Sequence, residues 1–407
     1  MARSVASYIS RHLDRQLLML ITVVLIIGLL TLHSASGGNT ARTLSQVANI
    51  LVALVVMWVV ANVPLHYLSR IALPVYVFGL LMLIGVEFFG EVVNGAQRWL
   101  SLGFTRIQPS ELMKIAVPLM LAWYFDRYES VLRSSNFLVG IILLVVPVFF
   151  IAKQPDLGTA ILVAVAGIYV LFLAGLSLRL IIFSFAIAIG SVPFIWSTLH
   201  GYQRQRILTL IDPSTDPLGS GYHIIQSSIA LGSGGLMGKG WLNGTQSQLD
   251  FLPERTTDFI FAVFAEEFGL LGNLVLMILF IAIIGRGLVI AANAPTLFTR
   301  LLAGAITLIF FTYVFVNIGM VSGILPVVGV PLPLISYGGT SLVTILFGIG
   351  IFISAYTIDE TEQGIILEFG RENLFPFSPA AKRKDPIEAA WPMHNVETSG
   401  LMYCMVS

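Results

Sequence analysis

The 407-residue sequence has very little charge and almost no cysteine. Only 11% of its residues are Asp, Glu, Lys or Arg, against about a quarter in soluble domains, whereas 57% are hydrophobic. A soluble fold of this size could not bury so much apolar surface, which excludes both a soluble enzyme and a disordered chain. The single cysteine excludes a disulfide scaffold and a cysteine-cluster metal site.

The sequence also lacks an excess of charge of one sign and the common metal motifs. Its 22 basic and 22 acidic residues cancel, so no basic surface indicates nucleic acid as a partner. It has no His-Glu-x-x-His motif, no Asp-x-Asp and no set of Cys and His ligands. These absences leave a polytopic membrane protein whose few intramembrane polar residues carry its function.

Long apolar runs predict an all-α polytopic membrane protein with about ten transmembrane helices. A spanning helix needs about 20 apolar residues, and roughly 17 to 25 are tolerated. The predicted spans lie near residues 17–32, 47–63, 71–89, 111–125, 137–152, 159–175, 178–196, 259–284, 301–325 and 334–356. The first is expected to be an uncleaved signal anchor, although the small residues 34–36 that follow it resemble a cleavage site.

Basic residues in the short loops predict the orientation of these spans. One alternating set of segments holds about nine arginines and the other set about four basic residues, so both termini are expected in the cytoplasm. One large loop, at about residues 200–257, then faces outward. The membrane domain is predicted over residues 1–357, and the charged residues 358–407 are predicted to be a disordered cytoplasmic tail.

The outward loop contains a glycine-rich stretch at residues 232–240. It does not fit a P-loop, because Ser233 occupies the position of the first glycine and Gly240 follows the lysine where Ser or Thr is needed. The sequence favours a turn with close backbone packing. A nest of backbone amides that binds phosphate stays open as the alternative.

Acidic residues lie at the start of the eighth predicted span. Asp258 could stabilise the start of the helix through its dipole, or it could accept a proton at the outer membrane surface, and the residues alone favour neither. Glu266 and Glu267 lie about two turns deeper, where adjacent carboxylates must be protonated, paired or exposed to water.

A second polar group lies at residues 108–114, with the sequence QPSELMK. Glu111 and Lys114 are three residues apart, so they share one helix face and can form an ion pair. This pair is either buried structure or a polar anchor in a cavity. Arg98 and Arg106 come just before it on the outer side and could meet an anionic lipid headgroup.

Two further turns contain unusual residues. Asp156 lies in an outward turn and could simply cap the next span. Residues 317–333 are dense in small residues and prolines, which predicts a broken or re-entrant segment. Such backbone is tolerated at membrane depth only where it is buried in protein or lines a cavity.

Six segments together resemble the SEDS family of polytopic cell-wall proteins, and in particular its RodA branch. They are GAQRWL (95–100), QPSELMKIA (108–116), QPDLGTA (154–160), DPLGSGYHIIQS (216–227), LPERTTDFIFAVFAEEFG (252–269) and GILPVVGVPLPLISYGG (323–339). The resemblance covers nearly the whole membrane region and stops at about residue 358.

The resemblance implies a peptidoglycan glycosyltransferase that polymerises lipid II into glycan strands for cell elongation and rod shape. This reaction takes place at the outer face of the bacterial inner membrane. The implied partners are lipid II, the undecaprenyl-pyrophosphate-linked glycan and a class B penicillin-binding protein. Asp258 matches the essential aspartate of the family, and Glu111 and Lys114 match its intramembrane pair.

The implied reaction needs a base near the interface, and cationic or amide donors for the charge that develops on the pyrophosphate. Asp258 is the candidate catalytic base. The candidate substrate-binding residues are Glu111, Lys114, Arg98, Arg106, Ser110, Asp156, Lys239 and Arg255. No metal ligands are predicted in the protein, although a divalent cation such as Mg or Mn could bridge the pyrophosphate.

Two functions of other classes stay open from the residues alone. A flippase or transporter for a lipid-linked precursor would also need many spans and buried charges, although the sequence has no internal repeat of the kind many transporters have. A membrane scaffold would use the same polar residues only for packing. Polymerisation of lipid II in detergent, where there is no membrane to cross, distinguishes the three.

Overall fold

The computed structural model describes residues 14–93, 96–101, 106–129, 134–154, 156–177, 179–180, 182–183, 186, 190, 201–216, 219–249, 251–252 and 254–374. The chain divides into two compact units, Met1–Thr361 and Glu362–Ser407. Most of the predicted span at 178–196, and residues 375–407 of the predicted tail, lie outside the described residues.

The described residues are mostly helical, which confirms the predicted fold class. The long helices are α1 (Arg15–Ala35), α2 (Thr40–Ala61), α3 (Leu65–Phe89), α4 (Pro109–Arg127), α5 (Ser134–Lys153) and α6 (Leu157–Leu173) in the first half of the chain. Those that follow are α7 (Gly201–Ile211), α8 (Ser220–Ser233), the short α9 (Thr245–Gln248), α10 (Ile260–Asn293), α11 (Leu297–Val321) and α12 (Gly339–Leu374). Helix α12 therefore continues past residue 357, where the tail was predicted to begin.

Seven helices in the described part of the chain are long and apolar enough to cross a membrane. They are α1, α2, α3, α5, α10, α11 and the Gly339–Tyr356 part of α12, and α6 is a shorter apolar helix. Helix α4 is not among them because it carries charge at both ends. Instead it packs against α3, α5, α6 and α11, so its polar residues face protein rather than lipid.

Side-chain caps begin several of the membrane helices. The side chains of Asp14, Asn39, Asp156 and Thr296 each accept a hydrogen bond from the backbone amide three residues further on. Such a cap satisfies one of the free amides in the first turn. For Asp156, the capping role predicted as the simpler interpretation is confirmed.

A small antiparallel sheet, absent from the all-α prediction, connects α3 to α4. Its strands are β1 (Glu91–Val93), β2 (Ala96–Ser101) and β3 (Arg106–Ile107), in the order β1-β2-β3. The sheet pairs backbone groups that a linker between two spans would otherwise leave without partners. It brings Arg98 to the beginning of α4.

The predicted break between the last two spans is confirmed. Residues 322–338 form no helix between α11 and α12. Within this segment Val330, Leu332, Leu334 and Ile335 are buried, as expected for irregular backbone enclosed by protein. We call residues 322–338 the broken segment.

Candidate active site

A polar cavity of about 170 Å³ lies at the N-terminal end of α4. Four predicted substrate-binding residues line it: Arg98 of β2, Glu111 and Lys114 of α4, and Asp156 just before α6. Residues 328–331 of the broken segment form another part of its wall. The fold thus joins residues from six separate stretches of chain.

Glu111 and Lys114 form the ion pair that their spacing predicts. Lys114 Nζ lies 2.6 Å from Glu111 Oε1, and the two side chains are 9% and 24% exposed. The ammonium also lies 5.4 Å from the ring centroid of Tyr313 on α11, a cation–π contact. Glu111 Oε2 is buried and accepts no hydrogen bond within the described residues.

Asp156 contacts two further polar side chains of the cavity, those of Gln108 and Arg98. Its Oδ2 accepts a hydrogen bond from Gln108 Nε2 at 2.8 Å, and its Oδ1 lies 3.6 Å from Arg98 Nη1. The guanidinium is therefore held close to the cavity while about a third of the side chain stays exposed. Ser110 is buried in the first turn of α4 and does not line this cavity.

Asp258 lies against the wall of the same cavity. Its Oδ2 is 3.3 Å from the point where a Cβ on Gly329 would lie, and Gly329 is a lining residue. Gly329 has a φ of +72°, a backbone conformation that glycine adopts without steric cost.

The surroundings of Asp258 favour its protonated form. Burial and, to a smaller extent, the negative charge of Glu254 together raise the pKa of this carboxyl from 3.8 to about 6. His223 stacks on the neighbouring Phe259 at 5.4 Å between ring centroids. Burial lowers the pKa of His223, against the opposing influence of Glu254 and Asp216, so this imidazole is neutral at pH 7.

Lys239 and Arg255 lie outside the polar cavity. Glu266 is fully buried and accepts hydrogen bonds from Lys239 Nζ at 2.7 Å, Thr245 Oγ1 at 2.9 Å and the Gln246 amide at 3.1 Å. Arg255 Nη1 donates to the Ser247 carbonyl at 2.5 Å. Both cations thus hold the outward loop together. Arg106 belongs to β3, and its side chain lies outside the described residues.

The glycine-rich stretch at residues 232–240 forms backbone hydrogen bonds with α10 on both sides of a break in that helix. The helix breaks at Gly269, where φ is 64° and ψ is −162°. The carbonyls of Glu266 and Glu267 just before the kink accept from the amides of Lys239 and Gly240 at 3.0 Å, and the amides just after it donate to the same stretch. Close backbone packing, the favoured interpretation of this stretch, is confirmed, and these two amides are not free to bind phosphate.

Three contributors to the site were not identified from the sequence. Gln108 lay in a recognised segment, but its contact with Asp156 joins residues 48 positions apart. Glu254 lies in the turn just before α10, and its charge beside Asp258 follows from the fold rather than from a sequence motif. Tyr313 lies in an apolar helix and has no distinguishing sequence signal. Among the described residues, no group of three or more His, Cys, Asp or Glu side chains could hold a metal ion.

Comparisons with known proteins agree with this architecture. The FtsW/RodA/SpoVE family of cell cycle proteins matches residues 14–360. Peptidoglycan glycosyltransferase MrdB of Escherichia coli K12 is 52% identical over 347 residues, which are 85% of this chain and 94% of that protein.

Two solved structures have the same fold. One is a chain from a study of how a peptidoglycan synthase complex coordinates polymerization and crosslinking; it is 30% identical, with a TM-score of 0.74, and the match covers 85% of this chain and 98% of that chain. The rod shape determining protein RodA of Thermus thermophilus is 27% identical, with a TM-score of 0.64 and coverage of 84% and 96%. The family match spans nearly all of the membrane region, and this chain therefore belongs to the FtsW/RodA/SpoVE family of cell cycle proteins.

Proposed function

We propose that this chain is a peptidoglycan glycosyltransferase that polymerises lipid II for cell elongation. Its 52% identity to peptidoglycan glycosyltransferase MrdB supports this activity. The observation that carries the proposal is the Asp258 carboxylate against the wall of a polar cavity that also holds Arg98 and Lys114. The protein is a multi-pass protein of the inner membrane, and the proposed orientation has both termini in the cytoplasm and Asp258 at the outer face.

Asp258 is the proposed general base. The 4-hydroxyl of one sugar attacks the anomeric carbon of the other, so its proton must leave as the new glycosidic bond forms. A base works best when its pKa lies near the working pH, and burial together with the charge of Glu254 brings the pKa of Asp258 to about 6. A single base is sufficient for inversion at the anomeric carbon, with no covalent intermediate.

Arg98 and Lys114 are the proposed donors to the leaving group. The bond that breaks leaves its electron pair on the lipid pyrophosphate, and fixed cations stabilise that charge. Each cation already faces one carboxylate, Asp156 or Glu111, which keeps it in place before the substrate binds. Glu111 lines the same cavity and is proposed to act on the substrate through its ion pair with Lys114. Ser110, Lys239 and Arg255 are proposed to support the structure around the cavity, and Arg106 stays a candidate whose side chain lies outside the described residues.

An apolar pocket beside the cavity supports a lipid-linked substrate. It has a volume of about 40 Å³ and shares Lys114 and Tyr313 with the polar cavity. Its other walls are mostly apolar residues of α4, α11 and α12, such as Ile115, Ile309 and Phe352. A substrate with a charged pyrophosphate between a sugar and an isoprenoid chain fits this juxtaposition. The lipid chain would follow the apolar side, with Lys114 at the boundary.

The proposed protein partner is a class B penicillin-binding protein that crosslinks the new strands. This proposal rests on the fold shared with a chain from the study of a peptidoglycan synthase complex. A divalent cation, Mg or Mn, is proposed only as a companion of the pyrophosphate. The ligands for it would come largely from the substrate, because the described side chains form no three-residue cluster for a metal.

Purified protein in detergent should elongate lipid II into glycan strands, which gel electrophoresis of labelled product detects. A detergent solution has no membrane to cross, so a flippase or a scaffold would give no product. Parallel reactions with EDTA, and with Mg or Mn restored, test the cation. Absence of polymer from well-folded protein, both alone and with a class B penicillin-binding protein, would contradict the proposed function.

Deletion of residues 362–407 is expected to leave polymerisation within about threefold of the full-length rate. The family match ends at residue 360, before this second unit begins. Its Lys382-Arg383-Lys384 cluster could contribute at most about 3 kcal/mol of attraction to anionic lipid, reduced by salt. Glycan synthesis is compared at matched amounts of both proteins in membranes. A loss of more than about tenfold would mean that the tail supports the catalytic fold.

A further inference from the structure

One buried amide connects the segment that carries Asp258 to the wall of the cavity. Asn317 of α11 is fully buried, and its Nδ2 donates to the Asp258 carbonyl at 2.8 Å and to the Val330 carbonyl at 2.7 Å. These two bonds use both hydrogens of the side-chain amide. The opposite amide orientation would aim an oxygen at two carbonyls, so the partners determine the orientation.

The two residues before Asp258 are held in the same way by the broken segment. The Thr257 carbonyl accepts from Ser336 Oγ at 2.7 Å, and the Thr256 carbonyl accepts from the Tyr337 amide at 2.8 Å. Three successive carbonyls, at residues 256–258, are therefore each bound to a donor from the last third of the chain. Few backbone movements of Asp258 are possible without breaking at least one of these bonds.

We propose that Asn317 is a positioning residue that holds the Asp258 carboxylate against the cavity, an inference that rests on the proposed function. Asn317 bonds to the backbone of Asp258 and also to Val330, which is itself a lining residue of the cavity. Asn317 thus determines how far the Asp258 carboxylate lies from the site of the sugar. It does not change the charge of that carboxylate. Its own Oδ1 is buried and accepts no hydrogen bond from the described residues, so its contribution is as a donor.

Loss of this donor is expected to act mainly on the chemical step. A displacement of about 1 Å at a reacting group can cost about 10² in rate. The substrate is held largely by groups that Asn317 does not touch, including Arg98 and Lys114. We therefore expect Asn317→Leu, which keeps a similar volume and removes both donors, to lower kcat by about 10² with KM within about threefold of wild type.

Asn273→Leu is the matched control. Asn273 also has a buried Oδ1 without an acceptor bond among the described residues, but it lies in α10 beyond the break at Gly269, away from the segment that carries Asp258. The same chemical change there should leave lipid II polymerisation near the wild-type rate. Both variants are compared as full-length protein, at matched amounts of monodisperse material in detergent.

A double-mutant cycle with Asp258→Asn separates positioning from a general structural role. If Asn317 acts only through Asp258, adding Asn317→Leu to Asp258→Asn should lower the residual rate by less than about threefold. A purely structural contribution would lower the rate by the same factor in both backgrounds. Residual rates are measured over long incubations with enzyme in excess of lipid II.

The inference is overturned if Asn317→Leu polymerises at the wild-type rate, or if its loss is repeated in full in the Asp258→Asn background. Should Asn317→Leu not be recovered from membranes, Asn317→Ala, which also removes both donors, is tested in the same cycle. It should lower kcat by about 10² with KM within about threefold of wild type, and a wild-type kcat would overturn the inference. A wild-type protein that makes no polymer contradicts the proposed function instead.

Discussion

Asp258→Asn is expected to lower the rate of lipid II polymerisation by about 10² to 10⁴, while the protein still folds and inserts. The amide copies the shape of the carboxylate but cannot take the proton of the attacking hydroxyl. Because the Asp258 carbonyl, rather than its side chain, is the acceptor for Asn317, the backbone contacts survive the substitution. Strand synthesis by purified protein is the measurement, with thermal unfolding in detergent as the control for folding. Near-normal turnover by this variant would remove Asp258 from the base role.

The Asp258 carboxylate should also determine how the rate of polymerisation falls at acidic pH. Its pKa is raised from 3.8 to about 6, first by burial and second by the negative charge of Glu254. A base must be deprotonated, so the rate should rise with pH up to about 6 and level off above it. One pH unit below the pKa, only about a tenth of the enzyme has the active form. Glu254→Gln removes this negative charge and should move the acidic fall in rate to lower pH. If the fall stays at the same pH, another group is titrating.

Glu111→Gln and Lys114→Met are each expected to destabilise the protein by about 3–5 kcal/mol, because each leaves its partner charged and buried without a counter-ion. The pair lies 2.6 Å apart on the central helix α4, with Lys114 only 8% exposed. The double variant removes both charges and keeps similar volumes. It should therefore be recovered in better yield, and unfold at a higher temperature, than either single variant.

Stability and activity should separate in the double variant. Lys114 lies at the boundary between the polar cavity and the apolar pocket, so the double variant should fold and still polymerise poorly. The yield from membranes and the unfolding temperature measure the coupling between Glu111 and Lys114. The rate of lipid II polymerisation measures the effect of losing the Lys114 ammonium. If the double variant is no more stable than the worse single variant, the two residues are not coupled.

Local sequence patterns were sufficient for the features that depend on near neighbours. The spans followed from runs of apolar residues, since each spanning helix satisfies its own backbone hydrogen bonds. The Glu111–Lys114 pair followed from a spacing of three residues on a helix, and the Asp156 cap from its place before an apolar run. The linker that forms the sheet β1-β2-β3 was missed because its strands are short and pair only with each other.

The composition of the cavity could not be deduced in this way. Lys239 and Arg255 resemble Arg98 as outward cations, yet Lys239 bonds to Glu266 and Arg255 to the Ser247 carbonyl. Asp258 and Gly329 are 71 positions apart, and no local rule connects them.

The sequence by itself determined that this is a polytopic helical membrane protein, and the resembling segments indicated its family. Only the tertiary structure decided which polar residues share one cavity, which cations are used to hold the outward loop, and that Asn317 connects Asp258 to the cavity wall. The physical reason is the range of the interactions. Helix formation and pairing along a helix are settled within about four residues, whereas the meeting of α4, α6, α11 and the broken segment depends on packing between helices distant in the chain.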